Sequence, residues 1–162
     1  MAIYMNFNAL AIKGNVTAEG YKDWIKVDSL QFGVGRGISM EAGSVANREA
    51  SRPSISEVSI SKSMDTSSAQ LMKEGVTGAA GTEVIIDIVK TGSEKLDKFC
   101  SYTLQNVLVS GYSVSSGGEG APQESISLSF TEVMYEYVTG GIDNADAATM
   151  KVGYDLVNAK PL

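Results

Sequence analysis

The chain has 162 residues, 43% of them hydrophobic and 20% charged, enough for one globular domain over 1–162 that buries roughly 70% of the surface its unfolded form would expose. A formal net charge of −6 leaves no cationic surface of the kind that nucleic acid or an anionic membrane requires. With no histidine and a single cysteine, a Ser-His-Asp triad and an intrachain disulfide are both ruled out.

Ile3, Met5 and Phe7 alternate with Tyr4 and Asn6, which predicts an opening strand. The N-terminal segment has no basic stretch ahead of an apolar core and does not read as a secretory signal peptide. Gly14-Asn15 and Glu19-Gly20 mark a turn, and Trp24 to Phe32 then reads as one long strand. Periodicity stops from Gly33 to Ser54. Such a long patternless stretch is unusual inside a compact domain, and makes Ser39 to Pro53 a candidate interaction arm.

Ile55, Val58 and Ile60 begin the next strand, running to Met64. Asp65 to Gly75 reads as a helix, capped by Asp65 or Thr66 and ended by Gly75 or Gly78. Its Ala69, Met72 and Val76 recur at helical spacing and are expected to dock on a sheet. Glu83 to Lys90 is β-branched on both faces and reads as a buried strand. A strand from Lys98 to about Val109 follows, continuing through Tyr112-Ser-Val to a glycine-rich connection at 115–122. Cys100 lies in this strand, where cysteine acts as a small buried hydrophobe.

The most informative segment is Glu124 to Val138. Ile126, Leu128 and Phe130 alternate with polar residues, and the alternation resumes out of phase at Val133, Tyr135 and Tyr137. A one-residue bulge at Thr131-Glu132 would flip the buried face and let one strand serve two packing environments. Residues 139–150 read as a polar loop, and Tyr154 to Asn158 as a short terminal strand.

Motifs for chemistry are weak. Gly33-Val-Gly-Arg-Gly37 has neither the glycine spacing of a dinucleotide fold nor the Gly-Lys-Ser/Thr of a Walker loop. Asp143 and Asp146 lack the alternating oxygen ligands of a calcium loop. No cofactor or metal is expected. An enzyme would need carboxylate or lysine chemistry from a cluster such as Asp87, Lys90 and Glu132, and a ligand-binding barrel of lipocalin type would need an enclosed apolar cavity. A bent antiparallel barrel with long edges points instead to a self-assembling building block.

Several segments resemble haemolysin-coregulated proteins (Hcp), the tube subunits of type VI secretion systems. They are Ala9-Leu-Ala-Ile-Lys-Gly14, Tyr21 to Gly33, Val58 to Leu71, Leu104 to Gly118 and Glu124 to Val138, in the family's order. Asn15 stands where the family often has an acidic residue. The resemblance implies an antiparallel β-barrel of two packed sheets, one short flanking helix and a long extended loop. It further implies a non-enzymatic homohexamer whose rings stack into a tube within a sheath, meet a spike, and carry effector proteins in the lumen. The protein would reside in the bacterial cytoplasm before firing and then be secreted without a signal peptide. Ser29 and Gln31 match the lumen-facing strand, and Ser39, Met40, Glu41, Val45, Asn47, Arg48 and Arg52 the arm that contacts a neighbouring subunit or ring. A phage tail-tube protein would share the same barrel and ring logic.

Overall fold

The computed structural model describes residues 1–7, 10–40, 42–43, 48–91, 96–139 and 148–162. In chain order the elements are β1 (Ala2–Asn6), β2 (Ile25–Val27), β3 (Ser29–Gln31), β4 (Val34–Gly35), β5 (Ile38–Met40), β6 (Arg48–Ala50), β7 (Ser54–Ile55) and β8 (Val58–Ser63). After α1 (Ser68–Thr77) come β9 (Thr82–Thr91), β10 (Leu96–Ser115), β11 (Gln123–Ser129), β12 (Glu132–Thr139), β13 (Ala148–Asp155) and β14 (Lys160–Pro161). The chain is mainly β, and among the described residues every pairing is antiparallel and one helix flanks the sheets.

β10 organises the molecule. Its first half lies between β9 and β12, and its second half pairs with β11, which in turn pairs with β8 and then β3. β9 continues the other layer through β1 to β2. Met5, Ile25, Ile60, Leu71, Ile86, Leu104, Ile126 and Leu128 are fully or almost fully buried between the layers. Among the described residues the expected barrel is not closed by a continuous ladder. The segment read as one strand from Trp24 to Phe32 breaks at Asp28, so β2 belongs to one layer and β3 to the other. The Asp28 N–H, bonded to the Ser61 carbonyl at 2.8 Å, fixes the crossing.

The phase slip at 131–132 is present, with Phe130 and Val133 both buried. Its cause lies in the neighbouring strand. Register between β10 and β9 shifts between Leu104 and Val107, and Asn106, in between, has φ +53°. Asn106 also holds Thr131 through its side-chain amide at 2.9 Å, while the Thr131 N–H bonds the Gln105 carbonyl at 3.0 Å. The bulge therefore sits in β10, and β11 and β12 follow the bend it imposes.

Other expectations need correction. The arm is not irregular where it is described: β4 pairs with β7 and β5 with β6, forming a narrow two-stranded ribbon. Glu41, Val45 and Asn47 lie outside the described residues, as do Asp143 and Asp146. The terminal strand begins earlier than expected, as β13, and Tyr154 to Asn158 spans its end and a turn. In that turn the Asp155 carboxylate accepts the Val157 and Asn158 N–H groups.

The helix reverses the expected orientation of its stripe. Leu71 is fully buried, whereas Met72 is 54% and Val76 74% exposed, and Ala69 is also exposed. Gly75 rests against Val109 and Tyr112 of β10, so the small-residue side of the helix meets the sheet. No described helix is long and apolar enough to cross a membrane.

Candidate functional site

The outer face of β3, β8, β11 and the second half of β10 is a grid of hydroxyl and amide side chains. In β8 the inward residues Val58, Ile60 and Lys62 are buried, so Ser59, Ser61 and Ser63 face outward. Cross-strand register aligns Ser29, Ser61, Ser125 and Ser113 in one row, and Gln31, Ser59, Ser127 and Gly111 in the next. A third row runs through Ser63, Gln123 and Ser115. The hydroxyls of Ser29 and Ser61 are hydrogen-bonded at 2.5 Å, and the Gln123 amide donates to Ser63 at 3.0 Å. Large apolar groups and charges are absent from these three rows. Such a face offers weak, uniform hydrogen bonding and nothing for an apolar surface to adhere to.

The two sequence-predicted lumen residues, Ser29 and Gln31, are exposed members of this grid. Sequence reasoning missed the rest of it. The signal was present in the alternating serines 59, 61, 63 and 125, 127, which read individually as ordinary exposed strand positions. The grid's two outer edges are open: among the described residues β3 pairs only with β8, and β10 beyond Val107 pairs only with β11.

The arm leaves this sheet where β3 ends. Its backbone is stitched by serine hydroxyls as well as by its ladders: the Gly33 N–H donates to Ser56 at 2.9 Å and the Gly37 N–H to Ser51 at 3.0 Å. These bonds occupy N–H groups that a phosphate loop would need free. Arg52 is exposed, and Ser39, Met40 and Arg48 fall within the β5–β6 ribbon. On the other layer an open apolar groove of about 280 Å³ runs between the arm base and β12–β14, lined by Phe32, Val34, Ile55, Tyr135 and Val152.

Beneath the serine grid lies a buried ionic cluster. Lys62 Nζ is 2.7 Å from Glu124 and 3.0 Å from Asp65, and also reaches Ser68 at 3.4 Å. Tyr112 donates its hydroxyl proton to Glu124 at 2.9 Å. Burial pushes the Glu124 carboxyl up, but the bonds from Lys62, Ser68 and Tyr112 outweigh it and hold the group below its ordinary value. Burial and the bond to Glu124 push Tyr112 up to about 12. The cluster joins β8, β11, β10 and the start of α1. It also sets the helix orientation, because Ser68 bonds both Lys62 and the Asp65 N–H, while Asp65 accepts the Ser67 N–H at 2.9 Å.

The residues considered for enzymatic chemistry do not converge. Asp87 is buried opposite Ser101, accepting its hydroxyl at 2.6 Å, whereas Glu132 stands opposite Gln105 on the far side of β10. Lys90 lies 5.2 Å from the Phe99 ring centre. No group of three or more potential metal ligands occurs among the described residues. Cys100 is buried, and burial followed by the Asp87 charge raises its thiol.

Residues 4–137 match the family model described as "Type VI secretion system effector, Hcp". The chain belongs to the Hcp family. As a member of that family it is a β-rich structural protein of the type VI secretion system. Protein hcp1 of Pseudomonas aeruginosa is 31% identical over 104 residues, a match covering 63% of this chain and 64% of that one. The aligned region thus spans just under two thirds of that relative's length. A solved type six secretion system protein superposes with a TM-score of 0.88 at 27% identity, covering 99% of both chains. Hcp1 from Salmonella typhimurium has the same fold, with a TM-score of 0.79 at 24% identity over 99% of this chain and 98% of that one.

Proposed function

We propose that this Hcp protein is the tube subunit of its secretion system, assembling into homohexameric rings that stack into the expelled inner tube. The observation that carries the reading is the serine grid with its two open edges. β3 and the second half of β10 run in opposite directions at opposite margins of one sheet. Rotating copies about an axis parallel to these strands sets β3 of one beside β10 of the next in antiparallel sense. The contact is head to tail, and such contacts form rings when the rotation closes. Closure also removes both free edges, which otherwise invite uncontrolled pairing.

In that arrangement the serine face lines the lumen, where a polar, uncharged and weakly bonding wall lets effector proteins sit and slide. Ser29 and Gln31 are lumen contacts. The arm, with Ser39, Met40, Glu41, Val45, Asn47, Arg48 and Arg52, reaches a neighbouring subunit or ring. The role is mechanical, with no catalytic step. Sheath, spike and effector proteins are the partners, and the protein passes from the bacterial cytoplasm to the outside or into a target cell when the apparatus fires. Light scattering on a sizing column, followed by electron microscopy of the peak, tests this. Six-subunit particles with an open centre are expected, and a monomer across a wide concentration range refutes the reading.

A further inference from the structure

The chain has only three arginines, Arg36, Arg48 and Arg52, and all of them lie between Gly33 and Ser54, in the arm or at its base, a segment with no lysine and with two glutamates, Glu41 and Glu49. Arg36 and Arg52 are exposed at the arm's base, and neither forms an ion pair among the described residues. Unpaired guanidinium groups concentrated on one projection of an acidic protein call for a carboxylate partner. Arginine suits this role better than lysine because its planar fork can grip a carboxylate through two parallel bonds.

The opposite end of the same sheet supplies such carboxylates. β8 starts beside the arm and runs six residues to Ser63, roughly 20 Å at about 3.3 Å per residue. There the Ser63 hydroxyl donates to Asp28 at 3.3 Å, and the β10–β11 turn carries Glu119. Asp28 and Glu119 are exposed and form no ion pair among the described residues. Of the cations near this end, Lys62 is buried with Glu124 and Asp65 and Lys13 is 3.8 Å from Asp23, while Lys26 is exposed on β2 of the other layer. At the arm's end, the carboxylates of Glu57 and Glu83 are held by the Ser110 hydroxyl and the Gln105 amide, and Arg36 and Arg52 lie between the two strand pairs of the arm.

We infer that Arg36 and Arg52 of one copy grip Asp28 and Glu119 of the copy stacked above it, so that the arm is an electrostatic clamp fixing the polarity of ring-on-ring stacking. The inference rests on the ring-and-tube reading. Two copies stacked in the same direction bring the arginine end to the carboxylate end. Two copies facing each other in opposite directions bring like charges together, which disfavours that arrangement. The clamp therefore supplies direction as well as attachment.

The test separates stacking from ring formation. Light scattering reports subunits per ring, and sedimentation with electron microscopy reports stacks, in about 0.1 M and about 1 M salt, where the screening length falls from ~10 Å to ~3 Å. The wild type is expected to stack in low salt and to lose stacks in high salt while its rings persist. Arg36→Glu/Arg52→Glu and Asp28→Arg/Glu119→Arg should each abolish low-salt stacking. An equimolar mixture of preformed rings of the two charge-reversed variants should stack again, because both ends of the first are acidic and both ends of the second are basic, and combining all four substitutions in one chain should likewise restore stacking. Thermal unfolding confirms that each variant is folded. Stacking that survives either reversal, fails to return in the fourfold variant, or is absent from wild-type rings in low salt overturns the clamp. A monomer in the scattering measurement refutes the ring reading itself.

Discussion

Lys62→Met removes the cation of the buried cluster and leaves Glu124, 1% exposed, with only Tyr112 and Ser68 to compensate a charge closed off from water. The lysine is itself fully buried, 2.7 Å from that carboxylate. Removing one partner of such a pair costs about 3–5 kcal/mol, because the remaining charge keeps its desolvation penalty without its attraction. For a chain of this length each kcal/mol lowers Tm by roughly 2–4 °C. Replacing Lys62 and Glu124 together, as Lys62→Met/Glu124→Leu, should recover part of the loss, since an apolar pair of similar volume is close to neutral while Asp65, also paired with Lys62, is left with its bonds from Ser67. Urea unfolding at one fixed protein concentration measures all three chains, the fixed concentration being needed because assembly shifts apparent stability. A Lys62→Met cost below about 1 kcal/mol, or a double variant no better than the single one, would refute the assignment of a desolvated pair.

The same cluster fixes the sign of a pH effect. In the wild type the Glu124 carboxyl is held below its ordinary value of 4.5 on folding. Its contribution is therefore present above that value and is lost as pH falls through the lower, folded one. In Lys62→Met the burial that pushes the carboxyl up is opposed only by the bonds from Ser68 and Tyr112. Without the cation the folded pKa lies higher than in the wild type, so lowering the pH costs the variant less stability than it costs the wild type. The penalty of Lys62→Met should accordingly shrink in mildly acidic urea titrations, and a penalty that grows there would contradict this reading.

Leu71→Ala should cost about 2–5 kcal/mol in the same assay, whereas Met72→Ser should stay within about 0.5 kcal/mol in unassembled protein. Gly14→Ala places a Cβ 2.7 Å from the Ile25 Cα and against the Trp24 carbonyl, so a loss of about 1–3 kcal/mol or more is expected from circular dichroism melts. The Cys100 thiol, buried and raised, should react with an aromatic disulfide reagent only after unfolding; rapid labelling of native protein would place it elsewhere. Ser29→Tyr/Gln31→Trp should leave ring mass unchanged and alter effector co-purification; loss of rings would mean that these side chains face a subunit interface.

Most strands were legible because burial on one face writes a period of two into the sequence, as in β8 and β11. The arm was not legible as a ribbon for the same reason. β4–β7 and β5–β6 are narrow pairs held by ladder bonds and by Ser51 and Ser56, and ladders of that kind require no apolar alternation. β13 was missed in part because Thr149, Met150, Lys151 and Val152 are all exposed, so no alternation marks them. The helix was located but turned the wrong way. Ala69, Met72 and Val76 form the more apolar stripe, yet Ser68 and Gly75 face the sheet, and what selects that face is a lysine six residues before Ser68 in another element. Helical periodicity carries no information about such a partner.

Asn106 links the two halves of the proposed assembly surface. Its left-handed backbone at φ +53° accommodates the extra residue of β10 relative to β9. Past that point β10 leaves β9, its outer edge opens, and β11 carries the serine grid; before it, β12 buries Val133 and carries the apolar Tyr135 and Tyr137 toward β13. A β-branched residue tolerates that conformation poorly. Asn106→Val should therefore strain the bend and straighten β10, extending its pairing with β9 past Val107 over the edge that neighbouring copies need. Ring mass should fall before secondary structure does, whereas Asn106→Gly, which permits the same φ, should keep both. Intact rings in Asn106→Val would show that the open edge does not depend on this bend.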